Sequence, residues 1–372
     1  MTDDMAPDLD RWADVDPSSL WDEALDALTD ADEDRYWGPV QELHRRGTVE
    51  IFDEAMRRAG DDDDDQRVLA CNVLGQLAFD RGHPFCADSA PMLIGLCADE
   101  MPRVAASAIS ALGHLGAVDA APAVIAQAAH DDADVRWSVA FALPSLAGTQ
   151  HLAESNPLAR ALMALTKDED PDVRDWATFG LGGLLMVDGP KTRKCLRARL
   201  DDPDADTRSE AINGLARRHD RQIVDRVRAE LESDEVGRLV VQAAAYLADA
   251  SLLEALESLD DWWDVDIELL ERAIDRCDPA IQSAELALLA EFLFAAERSD
   301  AGVAIFSNRL TNAPEGPIIG PVDEISVDGG TVVGDGASLR YSLEALLARA
   351  DGSVEGAVER ILSDQRDERP AR

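Results

Sequence analysis

Apolar and small residues recur at three- and four-residue steps through the stretch DPDVRDWATFGLGG (170–183) and its continuation. This is the period of an α-helix with one buried face. Asp170 and Pro171 precede the apolar positions, and an Asp-Pro pair is a typical helix start. Because Ala177 and Gly180 are small, we expect the backbone of a neighbouring helix to approach closely there. The positions on the predicted buried face are Val173, Ala177, Gly180, Leu181 and Leu184.

The same pattern returns in six segments that align without gaps. One column holds alanine in five copies and valine in the sixth, and four residues later every copy has leucine. The leucines follow one another at 31 to 38 residues, a period typical of a repeat array. The leucines are Leu74, Leu112, Leu143, Leu181, Leu215 and Leu247.

Between these segments lies a second set of shorter helical patterns, so each repeat is predicted to be a helical hairpin. Stacked hairpins form an all-α, right-handed α-solenoid. The predicted repeat array covers residues 48–250. Two helical patterns within residues 1–47 predict an N-terminal cap, and residues 251–298 predict a C-terminal helical cap.

The composition changes after residue 299. Residues 302–336 hold seven glycines and three prolines, and Asp328-Gly329-Gly330 lies between two β-branched runs, which is hairpin turn chemistry. Residues 299–337 are therefore predicted to be a hairpin or a loop. Residues 338–372 are predicted to form short helices, the first over 338–350, followed by a mobile tail.

Residues 36–250 resemble the HEAT-repeat family, in the short prokaryotic form that includes bilin-lyase-like repeats. The resemblance is carried by Asp172-Val173-Arg174, Ala177 and Leu181-Gly182, with echoes at 134–136 and 206–208. It implies that the second helix of each hairpin lines a concave face. It also implies an arginine ladder between neighbouring repeats through Arg136, Arg174 and Arg208, interrupted where Ala105 and Val240 take the same position.

The chain is strongly acidic, with 75 acids, 35 bases and a formal net charge of −40. Nucleic-acid binding requires clustered cations, so this charge disfavours a nucleic-acid partner. The acids are spread over the predicted loops, and only three of the bases are lysine. This composition resembles that of proteins from a halophilic archaeon. A histone-mimicking acidic scaffold is the alternative.

Two further features of the sequence concern targeting segments and residues that could form a reactive site. The acidic start MTDDMAPDLDRW is not a secretory signal, and no apolar run reaches membrane-spanning length, so a cytoplasmic protein without a membrane partner is expected. The five cysteines are scattered, which favours reduced thiols. GGTVVGDGAS (329–338) lacks the Lys-Ser/Thr of a phosphate loop. We therefore expect no catalytic, cofactor-binding or metal-binding residue, and no enzyme.

Bases are concentrated between residues 190 and 228, which hold eleven bases and seven acids. These cations either pair with acidic loops of adjacent repeats or form a docking site for an acidic partner. The second reading includes self-association, with the acidic end of a second copy as the partner. The candidate partner-binding residues are Lys191, Arg193, Lys194, Arg197, Arg217 and Arg218.

The sequence favours a non-enzymatic scaffold or adaptor that binds a protein or peptide partner along its repeats. The alternative is a bilin-lyase-like repeat protein that handles a small ligand or assists cofactor attachment. A chromophore that copurifies with the protein would distinguish the alternative from the scaffold.

Overall fold

The computed structural model describes residues 11–28, 33–148, 152–185, 187–259 and 266–279, together with the backbone of four short strands between 317 and 342. The helices are α1 Pro17–Ala27, α2 Glu33–Arg46, α3 Val49–Ala59, α4 Asp64–Gln76, α5 Cys86–Leu96, α6 Pro102–Leu115, α7 Ala121–Ala126, α8 Ala133–Leu146, α9 Pro157–Leu165, α10 Pro171–Phe179, α11 Pro190–Arg197, α12 Ala205–Arg217, α13 Val224–Leu231, α14 Arg238–Leu247, α15 Leu253–Glu257 and α16 Ile267–Cys277.

The starts of several second helices are fixed by an aspartate that caps free backbone amides. The Asp170 carboxylate accepts hydrogen bonds from the backbone N–H of Asp172 (3.0 Å) and Val173 (3.2 Å), and Pro171 occupies the first helical position. Asp132 accepts the corresponding two bonds at the start of α8, and Asp204 caps α12 by accepting from the backbone N–H of Thr207. The predicted helix start at Asp170-Pro171 is confirmed.

The chain divides into two compact units, residues 1–148 with 156–180, and residues 149–155 with 181–372. In the first unit, α3 to α10 form four consecutive hairpins, and the second helices α4, α6, α8 and α10 pack side by side. In the second unit, α11 to α16 form three hairpins, with α12, α14 and α16 side by side. The predicted α-solenoid fold of stacked hairpins is confirmed. The last hairpin lies in the segment that the sequence assigned to a C-terminal cap.

The repeated alanine and leucine columns form the core. Every residue of these two columns, including Leu181, is at most 2 % exposed. The alanine column leaves room for the helix of the next repeat, and the leucine column fills the space between hairpins.

Backbones approach closely one residue after the leucine column. A Cβ atom at Gly75 would lie 2.8 Å from the Cα of Ala111, and one at Gly182 would lie 3.1 Å from the Cα of Gly214. At Gly180, where the sequence predicted a close backbone, the nearest atoms belong to the side chains of Pro144 and Leu162. The predicted backbone approach was wrong at Gly180, because the residue of α8 that faces it is Pro144, whose side-chain ring lies 3.0 Å from the added Cβ. Residues 180–184, after α10, form a π-helical turn.

The four strands are β1 Pro317–Ile319, β2 Glu324–Asp328, β3 Thr331–Gly334 and β4 Arg340–Ser342, paired antiparallel in chain order. Asp328 at the end of β2 pairs with Thr331 at the start of β3, which agrees with the hairpin that the sequence predicted around Asp328-Gly329-Gly330.

Residues 340–342 correct the helix predicted over 338–350. They pair with residues 331–333, because the outer edge of β3 offers unpaired backbone N–H and C=O groups to a following strand. The helix predicted from Pro279 to about residue 298 lies outside the described residues from 280 onward, and so do the helical residues predicted from 343 onward.

Candidate functional site

The described residues do not assemble a metal site or a cysteine-based site. No group of three or more His, Cys, Asp or Glu side chains among them could hold a metal ion. All five cysteines are free, and burial raises the pKa of Cys97 to about 12 and that of Cys277 to about 11. A thiolate is therefore strongly disfavoured at these two positions. The absence of enzymatic activity stays a prediction.

Of the three arginines in the predicted ladder, Arg136 links its repeat to the next one, and Arg174 and Arg208 donate to backbone carbonyls of their own preceding turns. Arg136 holds Asp168 of the next repeat through two hydrogen bonds, of 2.7 Å from Nε and 2.8 Å from Nη2. Its Nη1 donates to the backbone carbonyls of His130 and Asp131 in the preceding turn. Arg136 thus fixes its own turn and the next repeat at once.

The ladder has a further rung that the sequence analysis did not include. Arg67 donates to Asp99 from Nε and Nη2 at 3.0 Å each, and to the backbone carbonyls of Asp61 and Asp62. Arg67 stands seven residues before the repeat leucine, as Arg136 does, so the alignment of the repeats could have identified it. At Ala105, the same position in the intervening copy, the ladder is interrupted as predicted.

The candidate arginines at 193 and 197 are engaged by acidic groups of their own unit. Arg193 holds Asp188 through bonds of 2.8 and 2.6 Å and donates to the backbone carbonyl of Arg218. Arg197 pairs with Asp220, whose side chain is 3 % exposed. These contacts agree with the first interpretation of residues 190–228, which we call the basic segment: its cations pair with acidic groups of the same chain.

Arg218 is almost fully buried among backbone carbonyls. Its side chain is 8 % exposed, and it donates to the carbonyls of Leu181 (2.7 Å), Gly182 (2.8 Å), Gly214 (2.7 Å) and Val187 (2.8 Å). The guanidinium therefore satisfies carbonyls in and just after the π-helical turn at 180–184.

The remaining candidates differ in their surroundings. Arg217 donates to the backbone carbonyl of Gly183. Lys191 and Lys194 are exposed, and their side chains form no hydrogen bond or ion pair with any residue that the structure describes. The predicted docking site for an acidic partner stays a prediction, and its accessible cations are these two lysines.

A partly exposed cluster of aromatic side chains lies on the second helices of the first unit. We call it the aromatic face; it consists of His114 from α6, Trp137 and Phe141 from α8, and Trp176 and Phe179 from α10. Ring centroids of Trp137 and Trp176 are 5.3 Å apart, and those of Phe141 and Trp176 are 5.4 Å apart, both edge-to-face. The ring centroids of His114 and Phe141 are 5.0 Å apart. The cluster thus spans three neighbouring second helices.

Helical spacing places a carboxylate beside each indole of the aromatic face. Asp134 precedes Trp137 by three residues and Asp172 precedes Trp176 by four, so each pair shares one side of its helix. Both carboxylates are exposed and have no ion-pair partner among the described residues. The order of carboxylate, indole and phenyl ring is therefore the same on α8 and α10.

The surrounding turns are acidic. Residues 130–136 and 167–176 together hold eight acids and three bases, and two of those bases, Arg136 and Arg174, are buried. The sequence analysis did not identify this site, because each aromatic residue by itself is typical of a helical core. Its signal was the recurrence of Asp, Trp and Phe within eight residues in two successive second helices.

Among the residues that the structure describes, no helix is both long enough and apolar enough to cross a bilayer.

Stacked helical hairpins joined by an arginine ladder define a repeat protein of the α-solenoid class. Residues 52–144 and 158–248 match the family model described as HEAT repeats. The resemblance to HEAT repeats that the sequence indicated is confirmed for these two segments.

Among the proteins similar to this chain are YibA and two solved structures. YibA of Escherichia coli K12 is 34% identical over 115 residues, which cover 31% of this chain and 40% of YibA, so less than half of that protein is aligned. An X-ray structure of E. coli YibA has a TM-score of 0.54 at 24% identity and covers 70% of this chain and 94% of that chain, which supports the fold. The CpcE–CpcF complex of phycocyanin lyase from Nostoc sp. PCC7120 has a TM-score of 0.41 at 16% identity and covers 62% of this chain and 94% of that chain. Similarity at that score does not extend to function.

Proposed function

We propose that this chain is a non-enzymatic scaffold or adaptor that binds a protein or peptide partner on its aromatic face. The observation that carries the proposal is that two tryptophans and two phenylalanines remain partly exposed on adjoining second helices. Core positions only a residue or two away are fully buried, so the fold has the means to bury apolar side chains. Large, rigid aromatic rings are the side chains that contribute most binding energy in protein interfaces.

Site-specific photo-crosslinking tests this function. A photoreactive amino acid replaces Ser145, which is exposed on α8 four residues after Phe141 and therefore on the same side of the helix. The matched control replaces Arg160, which is exposed on the first helix α9 of the next hairpin. We expect one protein to be crosslinked reproducibly at position 145 and not at 160.

Two results would count against a scaffold that uses this surface. Equal crosslinking at both positions would indicate non-specific contact, and crosslinking only at 160 would place the partner on the other helix layer. A chromophore or other small molecule that copurifies with the protein would support the ligand-handling alternative.

The basic segment is proposed as a second contact, for an acidic partner or a second copy of the chain. Its accessible cations are Lys191 and Lys194, one turn apart on α11. Lys191→Gln with Lys194→Gln should weaken association and change the melting temperature little, since neither side chain forms a hydrogen bond or ion pair with a described residue. Unchanged association would restrict the basic segment to intramolecular charge balance.

A further inference from the structure

We propose that the aromatic face binds an extended peptide segment that carries arginine or lysine at every second position. Two successive cationic side chains would contact the indole rings of Trp137 and Trp176. This inference rests on the proposed function and adds the chemical class of the partner.

The first argument is the pairing of a carboxylate with an indole. Three or four residues along a helix correspond to a rise of about 4.5 to 6 Å, so Asp134 and Asp172 lie about one turn from the indoles of Trp137 and Trp176. A guanidinium or ammonium group can then contact an indole ring while it donates a hydrogen bond to the carboxylate. Each carboxylate–indole pair can therefore give one cation a cation–π contact and a hydrogen bond.

The second argument is the distance between the carboxylate–indole pair of α8 and that of α10. Adjacent helices pack about 8 to 10 Å apart, and the indoles of α8 and α10 lean toward each other, with ring centroids 5.3 Å apart. In an extended peptide, side chains two residues apart lie on the same side and about 7 Å from each other. This spacing lies between the separation of the ring centroids and that of the helix axes, so alternate residues of an extended chain that crosses the two helices can reach the two carboxylate–indole pairs.

The third argument is charge, which separates this partner from other peptides. An acidic peptide would meet the excess of carboxylates in residues 130–136 and 167–176. An apolar peptide would remove water from Asp134 and Asp172 without giving these carboxylates a partner, which costs free energy. Only a cationic segment covers the rings and also neutralises the two carboxylates.

Peptide titration tests the inference directly. The probe is a synthetic peptide of about ten residues with arginine at alternate positions and glycine between them, added to the full chain at about 0.15 M salt while tryptophan fluorescence is recorded. Peptides of the same length with glutamate or leucine in place of arginine are the ligand controls. We expect saturable binding of the arginine peptide only.

Two charge-matched double variants separate local contact from long-range attraction. Asp134→Asn with Asp172→Asn removes the carboxylates beside the indoles and should raise Kd about tenfold. Asp131→Asn with Glu169→Gln removes the same charge from exposed positions in the adjoining turns, and Kd should stay within about twofold. Trp176→Leu should also weaken binding, whereas Trp37→Leu, at an exposed position outside the aromatic face, should not.

Several results would overturn the inference. Equal loss in the two double variants would mean that net charge alone attracts the peptide. Preference for the glutamate or leucine peptide, or no binding of the arginine peptide, would refute the cationic partner. Crosslinking at position 145 decides the scaffold function separately, so a crosslinked partner together with failed arginine-peptide binding would reject only the chemical class proposed here.

Discussion

A methyl group at Gly113 would lie 2.9 Å from both the Cα and the Cβ of Ala142 on the neighbouring second helix. Real Cβ atoms do not approach other atoms so closely, so the glycine is required by the spacing of two backbones. Gly75 and Gly182 stand at the same position of other repeats. The alignment of the repeats predicts small residues in this column, but only the structure shows that the adjoining atoms are backbone atoms that cannot move aside.

Gly113→Ala is expected to lower the free energy of unfolding by about 1 to 3 kcal/mol, since the added methyl group overpacks a tight contact. Gly95→Ala in α5 is the matched control, because no atom lies within 4 Å of its added Cβ. The control should raise stability by about 0.5 to 1 kcal/mol through the helix propensity of alanine. Urea unfolding measures both. Similar effects in the two variants would refute the backbone contact at Gly113.

His44 links stability to pH. Burial lowers its pKa to about 4, and its Nε2 lies 3.0 Å from the backbone carbonyl of Asn72. The unfolded chain has an ordinary histidine pKa of about 6.5, so between these two values the unfolded state binds more protons than the native state. The stability that neutral His44 contributes is therefore complete above the unfolded pKa and is lost as the pH falls through this window.

This effect corresponds to a loss of about 2 kcal/mol between pH 7 and about pH 5, at about 1.36 kcal/mol per pKa unit. His44→Gln can keep a donor to Asn72 but does not titrate. Urea unfolding of both proteins at the two pH values should therefore show a smaller decrease for the variant. Parallel decreases in the two proteins would mean that other groups cause the pH dependence.

At the scale of elements, the π-helical turn at 180–184 separates α10 from the following loop. A widened turn leaves carbonyls without their usual helical partners, and Arg218, which is more than thirty residues away, supplies donors to them. The helical period of residues 173–184 was predictable from the sequence. The π turn was not, because it depends on a contact between distant residues that leaves no mark on the local pattern.

Arg218→Met is expected to lower the free energy of unfolding by about 3 kcal/mol or more, because it removes charged donors from several buried carbonyls at once. Arg221→Met is the control: Arg221 is 65 % exposed, and its pairing with Asp249 at 2.9 Å is a surface ion pair of little weight. Thermal unfolding compares the two variants. Equal stability would contradict the structural role assigned to Arg218 and would return it to the candidate docking residues.

Other elements show where sequence reasoning holds. Helices whose caps and apolar period are local were predicted close to their observed bounds: residues 66–77, 134–146 and 206–218 were predicted for α4, α8 and α12. The strand at 340–342 was predicted as helix, because its formation depends on the exposed edge of β3. The aromatic face was missed for a similar reason: a half-buried tryptophan and a core tryptophan have the same helical spacing, and the neighbouring helix decides which of the two results.

At the scale of the whole molecule, the net charge of −40 causes electrostatic repulsion within the folded chain. Many arginines are paired with carboxylates, yet acids exceed bases by forty, so repulsion between the remaining carboxylates persists. The Debye length falls from about 10 Å at 0.1 M salt to about 3 Å at 1 M, which shortens the range of this repulsion.

The melting temperature is therefore expected to rise markedly between about 0.1 M and 2 M KCl. Calorimetry at several KCl concentrations measures it, and sucrose at matched osmolality is the control for effects other than screening. The interpretation of the acidic composition as halophilic depends on this result. A constant melting temperature would contradict it, and the acidic surface would then require another explanation, such as a cationic partner.

The central claim is that a partner binds on the aromatic face of the second helices. The most direct measurement is NMR of the tryptophan indole N–H groups during titration with the partner identified by crosslinking. The resonances of Trp137 and Trp176 should shift or broaden at the stoichiometric point, while those of buried Trp21 and exposed Trp37, both outside the aromatic face, should stay unchanged. A response of Trp37 without one from Trp137 and Trp176 would contradict the account and place the interface elsewhere on the chain.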